Sequence, residues 1–314
     1  MASRFFGKHI LSATQFTRTD VEDFCRQTYE MRYLIATQGQ NDLLRGKMVK
    51  RVFYESSTRT GTSFDCAAIR LGAMLHATNN VQFSSVSKGE DLPDTITTLS
   101  SNSDALVLRH PDRGSVELAS RFSKAPLINA GDGDGEHPTQ ALLDVFTICD
   151  ELGDIDGLTI TLMGDLRFGR TIHALLHLLR HYRVRINLVS PEPLRLTDEL
   201  MAIYQKYPYQ LEVLSLLDDV IAETDVLYVT RAQFERFKDQ PELAEAVKRA
   251  YPNYIVTPET MKRAKKRMVV MHPFPRNDEI DRRVDADPRA AYFRQIENGD
   301  PSRMTLLGWV LGGL

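Results

Sequence analysis

Cysteine is scarce in this chain and poorly placed for chemistry: Cys25, Cys66 and Cys149 lie far apart, with no CxxC spacing. That pattern excludes a disulfide framework and a cysteine-based zinc site, and it suits a reducing compartment, so a cytoplasmic location is expected. No run approaches the roughly 18 apolar residues of a membrane span. The opening stretch MASRFFGKHILSATQF lacks the unbroken apolar core of a signal peptide. An excess of charge of one sign is missing too, since 39 Lys and Arg against 42 Asp and Glu leave a net charge of −3. Neither nucleic acid nor a membrane is therefore an expected partner, and any anion site has to be local. No internal repeat or low-complexity tract is visible.

What is present is enough apolar material, 42% of 314 residues, to bury a sizeable core, and enough length for two domains. Short runs rich in Val, Ile and Leu recur: VFY (52–54), ALVL (105–108), PLIN (126–129), LTITLM (158–163), VRINLV (184–189), DVLYV (225–229) and RMVVM (267–271). Between them lie segments with helical spacing, among them ALLDVFTICDEL (141–152), TIHALLHLLRHY (171–182) and DDVIAE (218–223). Strands alternating with helices imply parallel sheets covered on both faces. The charged patch DELGDIDG (150–157) divides the pattern. The expected fold class is therefore α/β with two domains, residues 1–150 and 151–299, each a parallel β-sheet flanked by helices. The last segment, about 300–314, reads as a helix that packs back on the first domain.

In open parallel sheets, ligands gather beyond the carboxyl ends of the strands. The segments that follow the apolar runs here are ESSTRT, RHPDRG, AGDGDGEHPTQ, GDLRFGR, TRAQFER and HPFPR. Arg, His, Thr and Gln are concentrated in them, so a cleft between the two domains is the expected site. In ESSTRTGTSF (55–64), Ser57, Thr58 and Thr60 supply hydroxyls at a helix start and Arg59 supplies a planar fork for anionic oxygens. A helix cap alone would need one hydroxyl; three with an arginine favour a bound phosphate. Arg109, His137 and Gln140 follow two other strands and together can polarise a carbonyl, whereas His110 and His272 each precede proline and read as turn residues. SSVSKGED (84–91) adds Ser84, Ser85 and Lys88, a weak signal when taken alone. Two patterns argue for other chemistry. GDLRFGRT (164–171) has P-loop spacing but carries Arg170 where the lysine belongs. His173, His177 and His181 share a helix, but Ala174 stands where a zinc protease needs its glutamate.

Taken in order, ESSTRT, SVSKGE, LRHP, NAGDGDGEHPTQALLD, MGDLRFGRT, YVTRAQFER and MHPFPRNDEI resemble the catalytic chains of the aspartate carbamoyltransferase family, from HILSATQFT (9–17) to the last helix. STRT and HPTQ are similar across all carbamoyltransferases and leave the amino acceptor open. An ornithine enzyme would be expected to show HCLP where this chain has HPFP (272–275).

The resemblance implies transfer of a carbamoyl group from carbamoyl phosphate to the amine of L-aspartate, giving N-carbamoyl-L-aspartate and phosphate on the way to pyrimidines, with no metal and no organic cofactor. It implies a carbamoyl phosphate site of Ser57, Thr58, Arg59, Thr60, Arg109, His137, Gln140, Pro273 and Phe274, with Arg59, Thr60, Arg109 and His137 catalytic. Aspartate would meet Lys88, Arg170, Arg231 and Gln233. A homotrimer is implied, in which Ser84 and Lys88 reach into the neighbouring subunit's site, and Glu55 would pair with Arg170 and Arg236 on domain closure. Regulatory or pathway-enzyme partners are left open. Ser87, Phe274, Gly61 and Phe234 depart from some relatives. The alternatives are another amino acceptor such as ornithine, a non-catalytic phosphate- or amino-acid-binding subunit, and a P-loop nucleotidase.

Overall fold

The computed structural model describes residues 3–79, 85–214 and 216–314. It divides into two compact units, residues 1–146 with 297–314 and residues 147–296.

The first unit holds α1 (Arg18–Gln38), β1 (Met48–Phe53), α2 (Thr58–Arg70), β2 (Met74–Asn79), α3 (Leu92–Ser100), β3 (Ala105–His110), α4 (Ser115–Ser120), β4 (Leu127–Asp132) and the start of α5 (Pro138–Leu152). Its strands form one parallel sheet in the order β2-β1-β3-β4. The three strands that read as apolar runs are buried along almost their whole length, while β2, at the sheet edge, is largely exposed and polar (MLHATN). A strand whose side chains largely meet water needs no apolar run, and periodicity misses it.

The second unit continues with β5 (Thr159–Met163), α6 (Arg170–Leu179), β6 (Arg185–Val189), α7 (Asp198–Tyr204), β7 (Gln210–Leu214), β8 (Val226–Val229), α8 (Pro241–Ala250), α9 (Pro258–Arg263), β9 (Val269–Met271) and α10 (Tyr292–Glu297). Here the parallel order is β7-β6-β5-β8-β9. Again the strand that the sequence pattern misses, β7, is the exposed one at the edge. The segment 218–223, expected as a helix, is instead a 3-10 turn, Leu217–Asp219, followed by further turns.

Helix α11 (Gly299–Leu311) ends the chain and packs against α1 and α2 within the first unit. Its Trp309 stacks on Phe5 with ring centroids 5.3 Å apart, meets Phe24 edge-on at 5.7 Å, and donates to Gln27 Oε1 at 2.6 Å. A buried indole is kept here because its N–H has a partner.

Candidate active site

In each sheet the strand order reverses direction at one place, between β1 and β3 in the first unit and between β5 and β8 in the second. The loops leaving the two strands at such a switch point diverge to opposite faces and leave a crevice for a ligand. The polar segments singled out in the sequence leave those strands or their immediate neighbours.

In the first unit, β1 delivers Glu55 to Thr60 and β3 delivers Arg109, and the two strand ends are tied by Tyr54 N–H donating to the Arg109 carbonyl at 2.9 Å. Ser57 is the N-cap of α2, yet its side chain makes no capping hydrogen bond. The helix closes instead through Gly61 N–H on the Ser57 carbonyl at 3.2 Å. The Ser57 hydroxyl is therefore not consumed by the helix, and the positive end of α2 faces outward with Thr58 exposed, Arg59 half-buried and Thr60 buried. Arg109, 9% exposed, sits within 2.9 Å of the Glu55 carboxylate and reaches the Ala130 carbonyl at 3.4 Å. The pairing of Glu55 with Arg109 is not foreseen by the sequence. It holds a cation in place at the strand end and keeps its charge balanced.

The neighbouring strand β4 leads to His137 and to Pro138, the first residue of α5. His137 is buried, with Nδ1 3.3 Å from the Thr139 hydroxyl. Gln140, one turn on, donates from Nε2 to Asp144 at 2.7 Å. His110 serves the turn expected of it, receiving the Asp112 N–H at 3.1 Å; burial lowers its pKa. Lys88 is exposed at the end of the 3-10 turn Ser85–Lys88. Ser84 lies outside the described residues.

In the second unit, β5 runs into the loop that ends at Arg170, the first residue of α6 and itself 9% exposed, and β8 runs into Arg231 and Gln233. The residue that joins these loops is Asp165, which sequence reasoning does not single out. Fully buried, it accepts from Phe168 N–H at 2.9 Å and from Gln233 N–H at 3.2 Å, and Gln233 Nε2 returns a bond to the Phe168 carbonyl at 2.9 Å. Burial pushes the Asp165 carboxyl up to about 6, against the pull of those N–H groups and of the Arg231 charge. Arg231 is gripped by both carboxylate oxygens of Glu235, one at 2.9 Å. The 3-10 turn Phe234–Arg236 follows, with Arg236 partly exposed and the Phe234 ring 5.3 Å from Phe237.

This geometry also disposes of the nucleotide alternative. A P-loop offers its amides to phosphate, whereas here Leu166 and Arg167 N–H both bond the Leu194 carbonyl at 3.0 Å and Phe168 N–H bonds Asp165. The histidines of α6 are separately engaged, His173 with the Leu166 carbonyl at 2.9 Å and His177 with the Tyr207 hydroxyl at 2.7 Å. Among the described residues no group of three or more His, Cys, Asp or Glu side chains is arranged to hold a metal, and no helix is long and apolar enough to cross a membrane.

Beyond β9, the neighbour of β8, come Pro273 and Phe274, both half-buried. Phe274 has φ of 55°, a left-handed conformation that a bulky residue adopts only when its surroundings compel it. Its N–H donates to His272 Nδ1 at 2.8 Å, and His272 Nε2 is 2.7 Å from Glu279, both side chains 1% exposed. Burial raises the Glu279 carboxyl, but the hydrogen bond from His272 together with those from backbone N–H groups, Asn277 among them, leaves its pKa lowered. Tyr251 adds a bond to Glu279 at 2.9 Å. His272 thus does act as a turn residue, holding the backbone of Phe274 in an orientation that its own side chain would not choose.

The family profile described as "Aspartate/ornithine carbamoyltransferase, carbamoyl-P binding domain" matches residues 8–150, and that described as "Aspartate/ornithine carbamoyltransferase, Asp/Orn binding domain" matches residues 156–310. The chain is 49% identical to the multifunctional protein pyr1-3 of Dictyostelium discoideum over 98% of its own length but only 14% of that protein's. It is 46% identical to the aspartate carbamoyltransferase catalytic subunit of Thermoplasma volcanium, with 98% of this chain and 99% of the relative covered. Among solved structures, the aspartate transcarbamoylase of Trypanosoma cruzi in complex with carbamoyl phosphate superposes with a TM-score of 0.94 at 43% identity, covering 99% and 98% of the two chains. Two matched family domains, near full-length identity above 40% and one shared fold lead to a single assignment: the chain belongs to the aspartate/ornithine carbamoyltransferase family.

Proposed function

We propose that this chain transfers the carbamoyl group of carbamoyl phosphate to the amine of L-aspartate, releasing phosphate and N-carbamoyl-L-aspartate. The observation that carries the reading is the start of α2, where Ser57 occupies the N-cap without capping and Arg59 stands beside three hydroxyls. Such a terminus is complementary to a phosphate. The choice of aspartate is supported by the Thermoplasma volcanium relative, named an aspartate carbamoyltransferase catalytic subunit, and by Trypanosoma cruzi structures in complex with carbamoyl phosphate and aspartate and with N-(phosphonacetyl)-L-aspartic acid.

Ser57, Thr58, Arg59, Thr60 and Arg109 bind the phosphate. As the aspartate amine attacks the carbamoyl carbon, negative charge grows on the carbonyl oxygen, and Thr58, Arg109 and His137 stabilise it. Gln140 and the backbone at Pro273 and Phe274 hold the carbamoyl amine. Arg170 and Arg231, with Gln233 and with Lys88 of a neighbouring subunit, take the two carboxylates of aspartate. The new C–N bond forms as the C–O bond to phosphate breaks, and the leaving phosphate accepts the proton shed by the amine. Binding both reactants in line replaces a bimolecular encounter by a step within one complex.

The assembly is a homotrimer in the cytoplasm, Ser84 and Lys88 completing a neighbour's site, and the reaction serves pyrimidine synthesis. Glu55 exchanges Arg109 for Arg170 and Arg236 when both reactants are bound. The deciding assay supplies carbamoyl phosphate with aspartate or, in parallel, ornithine. Carbamoyl-aspartate as the product is expected; product with ornithine alone, or with neither, overturns the reading.

A further inference from the structure

His137, Gln140 and Asp144 recur at three and four residues along the start of α5, so they share one helix face. His137 and Gln140 belong to the proposed site, whereas Asp144 is fully buried behind it. The 2.7 Å bond from Gln140 Nε2 ends on the Asp144 Oδ1 atom. A carboxylate in such a place requires a counter-charge, and one is near: Arg303 of α11, 2% exposed, with its guanidinium 5.7 Å over the ring of Phe64 on α2. Burial lowers the Arg303 pKa to about 10, the charges of Asp144 and Asp300 resisting the fall, so the guanidinium stays cationic at neutral pH. Among the described residues its Nε and Nη1 have no hydrogen-bond partner, which leaves the pull of those carboxylates as the clearest compensation for burying it.

We propose that Asp144, kept ionised by Arg303, is a positioning residue that fixes which end of the Gln140 amide meets the carbamoyl group. An ionised carboxylate can only accept, so the amide nitrogen of Gln140 must face Asp144 and the amide oxygen must face away. The substrate's NH2 is a donor, and the oxygen is the end it requires. With a neutral partner at position 144, the Gln140 amide can turn over and set NH2 against NH2. The device rests on the assignment of Gln140 to the carbamoyl amine.

The test is steady-state kinetics on the full chain with Asp144→Asn, Gln140→Ala and the two combined, alongside thermal melts. Asp144→Asn is expected to raise the KM for carbamoyl phosphate about tenfold, the cost of one lost or reversed hydrogen bond, with the KM for aspartate unchanged. The combined variant should be no worse than Gln140→Ala, because both changes remove the same interaction. A folded Asp144→Asn with wild-type KM for carbamoyl phosphate, beside an impaired Gln140→Ala, overturns the positioning role and leaves the site assignment standing. Multiplying losses in the combined variant overturn it too. A Gln140→Ala enzyme with wild-type kinetics overturns the Gln140 assignment and the device with it. Should Asp144→Asn alone misfold because Arg303 is left uncompensated, Asp144→Asn with Arg303→Met removes both charges together. It is expected to show the same selective rise in KM, and wild-type kinetics there overturn the proposal.

Discussion

In the proposed reaction Arg59 and His137 face different charges. The phosphate is anionic before the reaction starts, whereas the carbonyl oxygen becomes so only in the transition state. Arg59→Ala should therefore lower kcat/KM about 10³-fold or more while leaving the melting temperature near wild type, since Arg59 is half-buried at a helix start. Near-normal turnover in that variant would reduce the α2 terminus to a structural feature. His137→Ala should act mainly on kcat, by roughly 10²-fold. Asp165 makes a prediction of another kind. Its folded-state pKa of about 6 lies above the ordinary 3.8, so between those values the folded chain holds more protons than the unfolded one. On this residue alone, stability is lost as pH rises through that window. Asp165→Asn should flatten that part of the stability profile, measured by denaturant unfolding at pH 4, 5, 6 and 7. An unchanged profile would show that the carboxyl titrates normally.

At the scale of elements, two turns separate cap from cradle. Thr257 caps α9 with both bonds of a capping box in place, and Ser57 caps α2 with none from its side chain. Thr257→Ala should cost about 1 kcal/mol of unfolding free energy. Ser57→Ala should cost a few tenths at most, yet weaken carbamoyl phosphate binding. Equal stability losses in the two variants would refute the distinction. At the other switch point, Gly164 directly follows β5 with φ of 112°, and a Cβ there would lie 2.0 Å from the Thr230 carbonyl oxygen beyond β8. The strand ends that launch Arg170 and Arg231 approach too closely for a side chain. Gly164→Ala should destabilise by roughly 2–4 kcal/mol and raise the KM for aspartate. A variant with wild-type stability would mean that the strands part without cost.

At the scale of the molecule, the proposed homotrimer with shared sites predicts complementation. Arg59→Ala and Lys88→Ala chains, each inactive alone, should regain activity when unfolded together and refolded, because hybrid trimers contain some sites built wholly from intact residues. No recovery despite proven subunit exchange would count against sharing.

Much of this was legible in the amino-acid order. The buried strands announce themselves as apolar runs, and the loops after them carry the candidate site residues, because a strand covered on both faces admits little but Val, Ile and Leu. Three things were not legible. Edge strands β2 and β7 carry no apolar signal, since one side and much of their surface meet water. Asp165, Asp144 and the His272–Glu279 pair are indistinguishable in sequence from solvated polar residues; only burial against particular donors reveals them. The third is neighbourhood. Sequence by itself determined that this is a chain of alternating strands and helices, with its cations and hydroxyls at strand ends. Only the tertiary structure decided that β1 lies beside β3 and β5 beside β8, because lateral strand order is set by hydrogen bonding and packing between segments far apart in the chain.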